Sequence, residues 1–125
     1  FDFRRIVEIL SLDNDLKDHC LKILNEGMKR PRKGRNNDKA HPPIHPLKPG
    51  NDLHGLERSI YIYIARRFLS GVFDDAKYFE TKVLINFSDE RFYVTGSRIV
   101  AKNYLEVFIY DKFSHVELPN LVVGQ

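Results

Sequence analysis

Apolar residues first recur at helical spacing. Ile6, Val7, Ile9 and Leu10 predict a short helix over residues 4–10, which the polar run Ser11-Leu12-Asp13-Asn14 ends. Asp13 or Asn14 then has the chemistry to cap a second helix. That helix carries Leu16, Cys20, Leu21 and Leu24 on one face and stops at Gly27. A longer helix is predicted over residues 53–69, with Leu56, Ile60, Tyr63, Ile64 and Phe68 on its buried side and Gly71 after it. At Tyr78 the period changes to two. Thr81, Val83, Ile85 and Phe87 alternate with Glu80, Lys82, Leu84 and Asn86, a turn falls at Ser88-Asp89-Glu90, and residues 91–95 return with Phe92 and Val94 inward. Gly96 is expected to break this hairpin. Residues 99–101, 104–110 and 118–123 suggest further strands. Helices first and strands second make an α+β chain.

Between the second and third helices the periodicity vanishes. Residues 29–39 hold Lys29, Arg30, Arg32, Lys33, Arg35 and Lys39 against Asp38, with Pro31, Gly34, Asn36 and Asn37 marking turns. Such a tract is either a solvated loop or an anion grip. The arginines favour the grip, because a guanidinium fork matches phosphate oxygens in a bidentate way. Next comes Ala40-His41-Pro42-Pro43-Ile44-His45-Pro46. Its prolines fix φ and remove N–H donors, and they push the residues before them into extended geometry. Two imidazoles that titrate near neutral pH thus sit on a stiff loop beside the basic tract. Zinc binding by His41 and His45 would need both on one helical face, which the prolines forbid, and no cysteine or carboxylate nearby completes a ligand set. A purely structural turn stays open beside the phosphate reading.

Composition sharpens this only in part. The net charge is +3, a weak pointer to an anionic partner, but the positive charge is concentrated in one stretch. No apolar run approaches the roughly 18 residues that would span a bilayer, and no charged-then-apolar leader opens the chain. Cys20 stands alone, so an internal disulfide is excluded, which suits a reducing compartment. The chain opens on Phe1-Asp2-Phe3 and closes on Leu121-Val122-Val123-Gly124-Gln125, and these ends read as those of a piece cut from a longer protein.

The run Asn37-Asp38-Lys39-Ala40-His41-Pro42-Pro43-Ile44-His45-Pro46 resembles the histidine loop of type IA DNA topoisomerases, in particular the eukaryotic topoisomerase III group. Ile64-Ala65-Arg66-Arg67-Phe68-Leu69, Asp75-Ala76-Lys77, Glu80-Thr81, Ala101-Lys102-Asn103-Tyr104-Leu105-Glu106-Val107 and Leu118-Pro119 follow in the family's order. The likeness covers the whole chain. Leu47 departs from it where threonine is usual, and Phe108-Ile109-Tyr110 departs where Tyr-Pro-Tyr is common.

The resemblance implies a nuclear isomerase that cuts one DNA strand through a 5′-phosphotyrosine, passes a strand through the gap and reseals it. It implies Mg²⁺ in a Toprim domain elsewhere in the parent, no cofactor or metal in this piece, and no membrane. The implied partners are DNA, preferably single-stranded, a RecQ-family helicase and an OB-fold accessory protein. None of the six tyrosines begins a Tyr-Pro-Arg-Thr-type motif, so the piece alone is expected to be inactive. Residues 1–74 correspond to the helical end of the tyrosine-bearing domain, with the basic and histidine loops at 29–46. Residues 75–125 correspond to part of the β-rich hinge that arches over the central hole. His41 matches the catalytic histidine. Arg30, Arg32, Lys33, Arg35 and Lys39, with His45, are expected to meet DNA. Asp13-Asn14-Asp15 imitates the Toprim acidic pair and is read as a helix cap. The alternative reading is a freestanding single-stranded nucleic-acid binding module with Phe92 and Tyr93 as a stacking platform, although those aromatics are also expected in the sheet core.

Overall fold

The computed structural model describes residues 1–113 and 116–124. Among these, the order is α1 (Phe3–Leu10), α2 (Lys17–Glu26), α3 (Gly55–Ser70), β1 (Lys77–Phe87), β2 (Glu90–Ala101) and α4 (Tyr104–Val107). Helices precede an antiparallel pair of strands, which is the α+β layout expected from the change of period. Asp2 starts α1, its carboxylate accepting from the Arg5 N–H at 3.1 Å. Gly27, at φ +106°, ends α2 in a conformation that a Cβ would penalise. The core lies among the helices. Val7 and Leu10 of α1 meet Leu16, Cys20 and Ile23, then Ala65 and Leu69 of α3, with Val72, Phe73 and Val107 closing it. Full burial of each such aliphatic side chain contributes about 1.5–3 kcal/mol.

Two expectations about the helices fail for the same reason. No side chain caps α2. Asp13 instead turns inward and is fully buried. Its two oxygens accept from Arg58 of α3 at 2.6 and 2.9 Å. Arg58 thereby sets the rotation of α3. The stripe 58, 61, 62, 65, 69 faces inward, and Leu56, Ile60 and Tyr63, expected inside, are 76%, 52% and 48% exposed. The helix is apolar on most sides, so periodicity alone could not choose the face; the ion pair does. In α2, Leu21 likewise points out and Ile23 points in.

The hairpin has eleven paired positions, from Lys77↔Ala101 to Phe87↔Glu90, around a Ser88-Asp89 turn. Gly96 does not break it. The strand runs through, because glycine is required there for close approach: a Cβ would stand 2.6 Å from Leu118 Cγ and 2.8 Å from the Val116 carbonyl. Residues 118–123 form no strand. Pro119 has no N–H to give a ladder, and the contact there is one bridge, with Ser97 N–H to Val116 O at 2.8 Å and the reverse bond at 3.2 Å. Phe92 and Val94, expected inward, are exposed, as is nearly all of β1. Residues 104–107 are helix, not strand. Tyr104, Val107 and Phe108 recur at helical spacing and bury against the helical core, where Arg66 Nη1 donates to Val107 O at 2.9 Å.

Candidate nucleic-acid interface

No helix or strand forms between Glu26 and Gly55, yet this long loop is held at both ends. At its entry the Lys29 N–H donates to Val72 O at 2.9 Å. Lys29 Nζ lies 3.0 Å from Asp75, and Arg32 pairs with the other oxygen of the same carboxylate. The Lys29 ammonium, with Arg32 beside it, holds the Asp75 carboxyl below its ordinary range. At its exit the Gly50 N–H donates to Asp13 at 3.2 Å, and Arg58 donates to Gly50 O at 2.8 Å. Asn51 bonds Asn14 N–H and Leu12 O, each at 2.9 Å. Tyr61 donates to Lys48 O at 2.8 Å, and its ring crowds Gly50 so closely that a Cβ would stand 2.6 Å from it.

Between these anchors the two imidazoles have different surroundings. Asp38 folds back on the loop. Its Oδ1 accepts from the Ala40 and His41 N–H groups at 3.0 and 3.1 Å, and its Oδ2 lies 2.6 Å from His41 Nδ1. The bond to His41, with the two backbone donors, keeps the Asp38 carboxyl below its ordinary range. An ionised carboxylate only accepts, so Nδ1 carries the proton of this bond and Nε2 is the nitrogen that Asp38 leaves open on an exposed ring. His45 is half-buried. Its Nδ1 donates to Pro46 O at 2.8 Å, and its ring packs edge-on to Phe1 at 5.0 Å and beside Phe68 at 5.8 Å. It anchors the loop to Phe1, which precedes α1, and to α3.

Arg30, Arg32 and Lys33 line a groove of about 840 Å³ together with Pro43, Ile44, Arg67 and Phe68. The structure therefore brings half of the predicted contact residues to one surface. Arg35, Lys39, His41 and His45 lie outside that lining. Arg30, Lys33, Arg35 and Lys39 make no ion pair among the described residues, whereas Arg32 is engaged by Asp75. Three residues of consequence escape the sequence reading. Asp38 had a local signal, an Asn-Asn-Asp turn three residues before the histidine. Asp75 and Arg67 had none, since their roles depend on contacts across the fold.

The acidic run at residues 13–15 cannot serve a Mg²⁺ ion. Asp13 is buried on Arg58, and Asp15 accepts from the same guanidinium at 2.6 Å. Among the described residues no group of three His, Cys, Asp or Glu side chains is placed to hold a metal.

Comparison with known proteins gives a family match over the full length. The family model described as DNA topoisomerase matches residues 1–125. Human DNA topoisomerase 3-alpha is 46% identical over 97 residues, covering 78% of this chain and 10% of that protein. The Drosophila melanogaster DNA topoisomerase 3-alpha is 36% identical over 125 residues, 100% of this chain and 10% of its own length. The Saccharomyces cerevisiae DNA topoisomerase 3 is 37% identical over 101 residues, 78% of this chain and 15% of its own. The chain thus spans only about a tenth to a fifth of the relatives it matches.

Proposed function

This chain belongs to the DNA topoisomerase family, and we propose that it supplies the phosphate grip of a type IA, topoisomerase III-like enzyme. Residues 1–74 are the helical end of the tyrosine-bearing domain, and residues 75–125 are part of its hinge. The enzyme cleaves one strand of DNA through a 5′-phosphotyrosine, passes a strand and reseals, in the nucleus, alongside a RecQ-family helicase and an OB-fold protein. Mg²⁺ belongs to a Toprim domain outside these residues.

The observation that carries the reading is the Asp38–His41 couple on the same loop as Arg30 and Lys33, two groove-lining cations that make no ion pair among the described residues. Asp38 holds the imidazole at Nδ1, which leaves Nε2 as the ring nitrogen that can meet a ligand. As negative charge builds on the scissile phosphate, His41 donates a charge-assisted hydrogen bond to a non-bridging oxygen. Arg30 and Lys33, with Arg35 and Lys39 on the same loop, hold neighbouring phosphates in the ground state. Arg32 contributes less, because Asp75 already neutralises it. His45 braces the loop from which His41 projects.

The test is a salt titration of oligonucleotide binding. The affinity for a single strand should fall with log salt at a slope of about −0.7 per phosphate contact, and Arg30→Ala and Lys33→Ala should each reduce that slope by about 0.7. A duplex of equal length should bind more weakly. Affinity that ignores salt, or variants that leave the slope unchanged, would remove the basis for the groove.

A further inference from the structure

The face of α3 left outside the core leads straight into the basic groove. Tyr63 and Arg67 sit about one turn apart on it, about 6 Å along the axis. Arg67 lines the groove beside Arg30 and Lys33. Its guanidinium also lies 5.4 Å over the ring of Phe108, which follows α4. Two rings converge on Phe108, Tyr63 at 5.6 Å and Tyr110 at 5.2 Å, and the two tyrosines lie 4.9 Å from each other. Phe108 is buried and fixes the cluster, while Tyr63 and Tyr110 are 48% and 44% exposed. Here, rigid aromatic surface adjoins a cationic channel. That combination suits a single-stranded nucleic acid, whose backbone follows the positive groove while its bases stack on aromatic side chains.

We propose that Tyr63 and Tyr110, seated on Phe108 and flanked by Arg67, form a stacking site for an unpaired nucleobase. The base belongs to the nucleotide next to the phosphates held in the groove, so the proposal rests on the phosphate-grip reading above. Every base has a stackable face, so the site takes any of the four. The charge of Arg67 and its continuity with the groove favour this occupant over an apolar protein segment, which would leave that guanidinium without an acidic partner.

The experiment compares two fluorescent 12-nucleotide probes of equal charge, an oligothymidine and its fully abasic counterpart, by anisotropy. The wild-type chain should bind the oligothymidine about 5- to 150-fold more tightly. Tyr63→Ala should remove most of that preference and keep the salt slope, and Tyr63→Phe should retain both. Far-ultraviolet circular dichroism checks that each variant folds. Equal, salt-dependent binding of both probes by the wild type would overturn the base site and leave the phosphate grip standing. A preference that survives Tyr63→Ala combined with Tyr110→Ala would place the bases elsewhere and also overturn it. Self-association lost in those variants, with the base preference intact, would assign the patch to protein. Absence of binding to either probe at low salt would sink both readings.

Discussion

Arg58→Ala should destabilise the chain far more than the loss of an ordinary surface ion pair. The guanidinium reaches both oxygens of Asp13 at 2.6 and 2.9 Å, one oxygen of Asp15 at 2.6 Å and Gly50 O at 2.8 Å. Asp13 is fully buried. Removing Arg58 leaves that carboxylate in the core with only the Asp15 and Gly50 N–H groups for support. Stranding one partner of a buried pair costs about 3–5 kcal/mol, a large part of the roughly 5–15 kcal/mol that holds a domain together. In urea, with a slope of about 2 kcal/mol per molar, the midpoint should fall by roughly 2 M. Asp13→Asn combined with Arg58→Met should cost less than Arg58→Ala alone, because no charge is then left unpaired. The pair also has a pH signature. Burial pushes the Asp13 carboxyl up, but the Arg58 bonds and the two backbone donors outweigh it, and the group ends below its ordinary range. A depressed carboxyl contributes stability above its unfolded pKa of about 4 and loses it as pH falls through the lower folded value. Asp13→Asn should flatten that acid limb. A loss of less than about 1 kcal/mol for Arg58→Ala, the range of exposed pairs, would refute the assignment of Arg58 as the clamp that orients α3.

Gly96→Val should detach residues 116–121 from the hairpin, since its Cβ would meet Leu118 and the Val116 carbonyl; faster amide exchange at Ser97 N–H, which bonds Val116 O, reads this out, and unchanged exchange would contradict it. Cys20 is buried in the core, and desolvation pushes its thiol up to about 12. It should therefore resist a disulfide reagent in the native chain and react only in step with urea unfolding; rapid native labelling would show that the α1–α2–α3 core is not closed. Asp38→Asn should slow strand cleavage in the intact enzyme by less than His41→Ala does, with DNA affinity unchanged, because it loosens the imidazole and leaves the basic loop alone; a cleavage rate equal to wild type would dismiss Asp38 as an orienting group.

The hydrophobic spacing carried the elements and not their orientation. Helices α1, α2 and α3 and the hairpin over residues 78–95 follow from periods of 3.6 and two that local sequence dictates. The phase of α3 does not, since nine of its residues are apolar or aromatic and the deciding contact is made by Arg58, a residue that pattern reading assigns to solvent. Gly96 and residues 104–107 depart from the local pattern for a related reason. A glycine can mark a break or a close approach, and a short apolar run can be strand or helix, and in each case a distant partner settles it: Leu118 for one, the core around Val107 for the other. The site was legible as chemistry. The basic tract and the histidine loop stand out by residue type alone, but Asp75, 43 residues from Arg32, and Arg67, on the wall of the groove, become visible only once the chain is folded.

The central claim is that His41 acts on the phosphate in the transition state while the basic loop acts in the ground state. Single-turnover cleavage of a single-stranded oligonucleotide by the intact enzyme, measured beside a binding titration, tests it most directly. His41→Ala should lower the cleavage rate at saturating DNA by about 10²- to 10³-fold, the loss typical of a preorganised donor, with affinity nearly unchanged, because an interaction made mainly in the transition state affects rate. Arg30→Ala with Lys33→Ala should weaken affinity and restore a near-normal rate once DNA saturates. If His41→Ala cleaves at the wild-type rate under saturation, the histidine is a structural part of a turn and the catalytic assignment is wrong.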